Sequence, residues 1–146
     1  MMKGSKKKPM VSADFPEFPS CFVCGKKNPR GLHTHFSPSG EGVKATFTAD
    51  ETLAGYQNTV HGGIISALLD EALIWAAYAS THCFGVTAEL NVRFRKPLSV
   101  KSECIVEGKM VENRGKMWMV EARVMDPRGS VYASATGKVI PMRQTE

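Results

Sequence analysis

Between His61 and Ser80 the chain carries a stretch that admits few folds. From Ile64 to Ala79 the only polar side chains are Ser66, Asp70, Glu71 and Tyr78; the rest are Ile, Leu, Ala and Trp. The stretch is too long for a strand, and its Ala and Leu content favours helix. A helix that is apolar nearly all round is buried on most of its sides. The pattern predicts one central helix with the remaining elements wrapped around it.

Those elements read as strands. Residues 32–36 and 43–47 alternate enough to pair around Ser37-Pro38-Ser39-Gly40, which reads as a hairpin loop. After the helix, Ala88-Glu89-Leu90-Asn91-Val92-Arg93-Phe94-Arg95 alternates strictly between apolar and polar residues. Residues 100–111, 117–125 and 131–140 follow at strand length or longer. Asn113-Arg114-Gly115 and Asp126-Pro127-Arg128-Gly129 separate them, and both are turn signals. Loops this short cannot carry parallel crossovers, so the sheet is antiparallel. Two strands, one central helix and four more strands make an α+β plan in which the sheet wraps the helix. Apolar surface left over is most simply hidden by pairing, which predicts a homodimer or a dimer of dimers.

Composition narrows the remaining choices. At 146 residues and 42% hydrophobic content the chain supports one core. Residues 1–20, rich in Lys and Pro, read as a flexible basic tail, and residues 21–146 as one domain. The net charge is +5, but Lys3, Lys6, Lys7 and Lys8 supply four of those charges, leaving the rest near +1. That balance gives no nucleic-acid footprint. The basic N-terminus runs into Asp14, Pro16, Glu17 and Pro19 instead of an apolar stretch, which argues against a secretory signal. No run reads as a membrane span, and a cytoplasmic location is the expectation.

Cys21 and Cys24 form a CxxC, and His33 and His35 an HxH. Together they could supply four zinc ligands. Their spacing is looser than that of a zinc finger, and a plain loop with no bound metal is the expectation. No strand precedes the CxxC and no βαβ unit surrounds it, which argues against a thioredoxin-type redox role.

Three features converge on the central helix. Val60-His61-Gly62-Gly63 leads into it and sets both glycines at its N-terminus. Backbone N–H groups there are free and the helix dipole is positive, which suits a developing oxyanion. A plain helix start is the other reading of the same residues. Asp70 is a carboxylate in mid-helix, costly to bury without a purpose. At ~100° per residue it falls nearly on the same side as Gly63, whereas Glu71 is rotated a further ~100°; one of the two carboxylates is expected to reach solvent or an arginine. Thr87, just ahead of the strict alternation, could set its hydroxyl beside the helix and orient a water; β propensity alone also explains it.

The spacing also bears on assembly. Gly63 and Asp70 are separated along the helix by about 10 Å, seven residues at ~1.5 Å each. An oxyanion donor and an attacking group must both lie within ~3 Å of one carbonyl. One helix cannot provide both. If both act, Asp70 of one copy faces Gly63 of another across a two-fold axis.

His61-Gly62-Gly63 followed by Leu69-Asp70-Glu71-Ala72 resembles the hotdog thioesterases of the phenylacetate-pathway type, in which the aspartate stands nine residues after the motif histidine. The segment from Val86-Thr87 to Lys96-Pro97 is similar to the strand that follows in that superfamily. Cys21-Phe22-Val23-Cys24-Gly25, with Asn28-Pro29 and Gly31-Leu32, resembles the lead-in of one of its branches. The resemblance implies a hotdog fold and hydrolysis of an acyl-CoA thioester to free acid and coenzyme A at a dimer interface, without a cofactor. Asp70 would be nucleophile or general base, and Gly63 with Gly62 the oxyanion hole. His61 would shape the loop and polarise the carbonyl, and Thr87 would hold the water or help bind substrate. Relatives often carry Asn or Gln about six residues before the histidine. This chain has Gly55 there, with Gln57 and Asn58 nearby; which residue stands in for it stays open, and Asn58 is a candidate for binding substrate. Arg93, Arg95 and Lys96 are candidates for binding coenzyme A, with a solvated sheet face as the other reading. A hotdog hydratase would need an Asp-x-Asn-Pro-x-His segment, which is lacking. A non-catalytic acyl-CoA-binding module shares the fold, and only Asp70 argues against it. A zinc-dependent interaction module built on Cys21 and Cys24 is the remaining class.

Overall fold

The structure, a computed structural model, describes residues 10–142. Its central element is α1, Gly62–Thr81, which begins and ends within a residue of the apolar stretch. Before it come β1 (Ser37–Ser39) and β2 (Gly42–Thr48). After it come β3 (Gly85–Phe94), β4 (Glu103–Asn113), β5 (Trp118–Met125) and β6 (Val131–Pro141). All six strands form one antiparallel sheet in the order β1-β2-β4-β5-β6-β3. This is the α+β plan read from the sequence. By length and composition α1 would also span a bilayer, contrary to the expectation that no run is long enough. The sheet packed along it accounts for its apolarity: Leu68, Leu69, Ala72, Leu73, Ala76 and Ala77 are wholly buried.

Two glycines let the helix backbone come down onto the sheet. A Cβ at Gly108 of β4 would stand 2.6 Å from the Ala72 carbonyl oxygen, and one at Gly137 of β6 would stand 2.3 Å from Leu73 Cδ1. Glycine inside a strand often marks this kind of close backbone approach. The helix stops at His82, in the left-handed region at φ 60°, whose N–H donates to the Tyr78 carbonyl at 2.8 Å.

Three details depart from the sequence expectation. Residues 32–36 are not a strand; the strand is Ser37–Ser39, inside the expected loop, and the turn falls at Gly40 and Glu41. Leu32, Thr34 and Phe36 are buried and do alternate. However, the Leu32 and Thr34 N–H groups donate to the Phe22 and Val23 carbonyls at 2.8 Å, so this backbone pairs with the cysteine loop and not with β2. Residues 12–19, read with the tail, carry a 3-10 turn at Ser12–Asp14 and pack on the helix. Phe15 stacks on Trp75 with ring centroids 4.7 Å apart, and Phe18 meets Phe84 edge-on at 5.2 Å. Residues 1–9 of that tail lie outside the described residues. Finally, β3 is interrupted between Thr87 and Glu89 by a bulge at Ala88.

Candidate active site

His61 is the N-cap of α1, with extended φ and ψ of −59° and 135°. The loop before it is held by antiparallel bridges between Ala54 and Val60 and between Thr59 and Ser99. The His61 carbonyl accepts the N–H groups of Ile64 and Ile65, and its ring Nδ1 accepts the Gly63 N–H at 2.8 Å. With Nδ1 taken up as the acceptor of this bond, Nε2 is the ring nitrogen left to donate, at an exposed residue. Gly62 N–H, one position earlier, has no acceptor among the described residues. Both glycines make room for neighbours: a Cβ at Gly63 would lie 3.0 Å from His61 Nδ1, and one at Gly62 would lie 3.3 Å from the Phe94 ring. Gly55 does the same, since a Cβ there would stand 3.3 Å from His61 Cα and 3.4 Å from Cδ2. An Asn or Gln at that position would press on the histidine.

Asp70 lies on the half-exposed flank of α1, and Thr87 Oγ1 donates to its Oδ1 at 2.6 Å. Oδ2 has no hydrogen-bond partner among the described residues, and no lysine or arginine pairs with the carboxylate among them. The bulge at Ala88 makes the contact with Thr87 possible. Under unbroken alternation Thr87 would share a face with Glu89, Asn91 and Arg93. The extra residue turns it to the face of Leu90 and Val92, which packs on the core.

Glu71 is half-buried, and among the described residues it pairs with no arginine. Its carboxylate accepts the Trp75 indole N–H at 2.9 Å and lies 3.6 and 3.7 Å from the Cys21 sulfur. Cys21, Cys24 and Glu71 each bring one donor atom within 4.8 Å of the others. His33 and His35 are exposed and belong to no such group, so the four-ligand set suggested by spacing is not assembled. Burial first, and then the adjacent Glu71 carboxylate, push the Cys24 thiol well above its ordinary value. The Glu71–Trp75 pair was legible at helical spacing; the contact of Glu71 with Cys21, fifty positions away in sequence, had no local signal.

The basic candidates are not gathered at Asp70. Arg93 and Arg95 line a shallow groove of about 860 Å³ on the outer sheet face, with Asn91, Glu107 and Arg123. Lys96 is engaged elsewhere: it bonds to Ser130 Oγ, lies 3.8 Å from Asp126 and sits 4.7 Å over the Tyr132 ring. Asn58 occupies a left-handed turn at φ 61°, and its carbonyl accepts the Val100 N–H at 2.9 Å. Asparagine tolerates that conformation, so backbone geometry accounts for its presence.

Known structures carry the same architecture. The E. coli PaaI protein from the phenylacetic acid degradation operon superposes with a TM-score of 0.71 at 16% identity, covering 78% of this chain and 83% of that one. The smu.793 protein of Streptococcus mutans, solved bound to acetyl CoA, superposes at 0.70 and 18% identity, covering 77% and 91%. These likenesses establish the expected hotdog fold. Over 60 residues the chain is 38% identical to an uncharacterized protein of Schizosaccharomyces pombe, a stretch that is 40% of this chain and only 34% of that protein's length. The model of the thioesterase superfamily matches residues 57–133, from the loop before His61 through α1 to the start of β6. That span exceeds half of the sequence, and the chain belongs to the thioesterase superfamily.

Proposed function

We propose that this protein hydrolyses acyl-CoA thioesters to free acid and coenzyme A, with Asp70 as the working carboxylate. The observation that carries this reading is the Thr87–Asp70 contact at 2.6 Å, on the flank of a helix that is otherwise apolar. One oxygen is fixed by the threonine and the other is left for a substrate or a water. A carboxylate at such a position, unpaired with lysine or arginine among the described residues, is a functional-site candidate. Family membership and the acetyl CoA held by the Streptococcus mutans neighbour support a thioester as the substrate class.

In this reading the Gly62 N–H and the His61 Nε2–H stabilise the oxyanion, backed by the positive end of the α1 dipole. Asp70 Oδ2 then either takes a proton from an attacking water or attacks the carbonyl itself. In both routes the C–S bond breaks and the sulfur leaves as coenzyme A thiolate, which takes up a proton. The general-base route then releases the free acid directly, whereas the nucleophilic route leaves a mixed anhydride on Asp70 that a water hydrolyses to release the acid and restore the carboxylate. Single turnover in ¹⁸O-labelled water gives a test: label enters Asp70 only in the second route, when the water attacks the aspartyl carbon of the anhydride.

The helix spacing supports a shared site. Asp70 and the Gly62 N–H are about 12 Å apart along α1, eight residues at ~1.5 Å each, too far to meet at one carbonyl. β3 lies at a sheet edge, ten residues long, and exposes Val86 at 59% and Phe94 at 54%. A free edge of that length with apolar side chains invites pairing with a second copy. A homodimer, alone or doubled into a tetramer, completes two sites.

The test is release of free thiol from a panel of short, long and aromatic acyl-CoAs by wild type and Asp70→Asn. Removal of the charge with little change in shape is expected to cut turnover by about 10²–10⁴-fold with the fold intact. Retained activity would remove Asp70 from the mechanism. Binding of coenzyme A without thiol release from any thioester would instead identify a non-catalytic acyl-CoA-binding module.

A further inference from the structure

The hydrolytic reading leaves one cluster unused. Glu71 follows Asp70 but points about 100° around the helix from it, into the loop that carries Cys21 and Cys24. We propose that Cys21, Cys24 and Glu71 bind one zinc ion, which ties the N-terminal segment to the central helix.

The distances suit the ion. Zinc–sulfur bonds of about 2.3 Å and zinc–oxygen bonds of about 2.1 Å set tetrahedral donors about 3.5–3.8 Å apart. Cys21 Sγ lies 3.6 and 3.7 Å from the two Glu71 oxygens, and all three donors fall within 4.8 Å of one another. The loop is also shaped for the task. The Gly25 N–H donates to the Cys21 carbonyl at 2.9 Å, and the Cys24 N–H is directed at Cys21 Sγ at 3.5 Å, which fixes the two cysteines relative to each other. Any Cβ at Gly25 would stand 2.4 Å from the Cys21 and Pro19 carbonyl oxygens, so the turn closes only with glycine.

The carboxylate is oriented before any ion arrives. Trp75 Nε1 donates to Glu71 at 2.9 Å, and Phe15 stacks on the indole. Outer partners of this kind fix a ligand's geometry and raise its affinity for metal. Two thiolates and a carboxylate select zinc over the harder divalent ions. A cavity of about 300 Å³ borders Cys24 and Trp75, with room for water as the fourth ligand. On binding, each thiol loses its proton to solvent and no redox change occurs. The role is structural and independent of thioester hydrolysis.

The test is titration of the reduced, chelator-stripped full chain with cobalt(II), followed by displacement with zinc. One equivalent of cobalt per chain, with sulfur-to-cobalt charge-transfer absorption and tetrahedral ligand-field bands lost on adding zinc, is the expected result. Cys21→Ser is expected to lose the charge-transfer band, and Glu71→Gln to bind zinc about tenfold or more weakly. Zinc is also expected to raise the melting temperature of wild type and not of Cys21→Ser. No charge-transfer band on wild type at one equivalent, a band that survives in Cys21→Ser, or a melting temperature unmoved by zinc would overturn the proposal.

Discussion

Thr87 Oγ1 stands 2.6 Å from Asp70 Oδ1, across the gap between the edge strand β3 and the central helix. The contact depends on a single extra residue, Ala88, which turns the threonine from the outer face of the sheet to the inner one. A bulge beside a candidate site re-aims a side chain that alternation would have sent to solvent. Thr87→Val keeps the shape and β propensity but removes the donor. A hydrogen bond to a charged group contributes about 1.5–3 kcal/mol, so kcat is expected to fall about tenfold to a hundredfold. Thr87→Ser should retain most of the rate. Equal rates in Val, Ser and wild type would reduce Thr87 to a packing residue.

That bulge also marks how far the sequence could be read. The helix was legible because its apolar stretch is long and uninterrupted, and β3 to β6 because their alternation is regular and their turns carry Gly, Asn and Asp. Asp70 stood out as a charge in an apolar setting, and helix phase was enough to prefer it over Glu71. The bulge has no comparable signature, since Ala88 fits an alternating strand equally well. β1 was displaced because Leu32, Thr34 and Phe36 alternate in burial while their backbone bonds to residues 22 and 23. Contacts of that kind, like the one between Cys21 and Glu71, arise from the tertiary path of the chain and leave no local pattern.

Packing under the helix gives a stability prediction. At Gly108 an added methyl would meet the Ala72 carbonyl oxygen at 2.6 Å, a backbone atom inside a helix that cannot step aside. Gly108→Ala is expected to destabilise the fold by about 1–3 kcal/mol, as overpacked core sites do. At Gly137 the nearest atom is the end of the Leu73 side chain, which can rotate, so Gly137→Ala should cost less. Urea denaturation of both variants checks the order, and a larger loss at Gly137 would contradict it.

Arg95 tests where the nucleotide end of coenzyme A lies. Its guanidinium is exposed on the outer face of the sheet and, among the described residues, has one hydrogen-bond contact, to Ser134 Oγ at 3.5 Å. If the phosphates use this groove, Arg95→Glu raises KM several-fold with little change in kcat, and the effect shrinks in high salt as screening lengths shorten. An unchanged KM at low salt would leave Arg93 and Arg95 as a solvated face.

The shared site is tested by complementation. Gly62 is the first residue of α1, where proline is best tolerated, and the extended conformation of His61 before it is the one a following proline favours. Gly62→Pro therefore removes the N–H that has no acceptor among the described residues while leaving the helix able to start. Asp70→Asn removes the carboxylate. Heterodimers of the two contain one doubly damaged site and one intact site if each site takes its glycine turn from one copy and its aspartate from the other. In an equal mixture about half of the dimers are mixed, so activity should recover to about a quarter of wild type. Matching circular dichroism for the two variants and demonstrated subunit exchange are the controls. With both in hand, a mixture no more active than its parents would mean that each site is built within one chain, and that the ~12 Å spacing between Gly62 and Asp70 along the helix is bridged some other way.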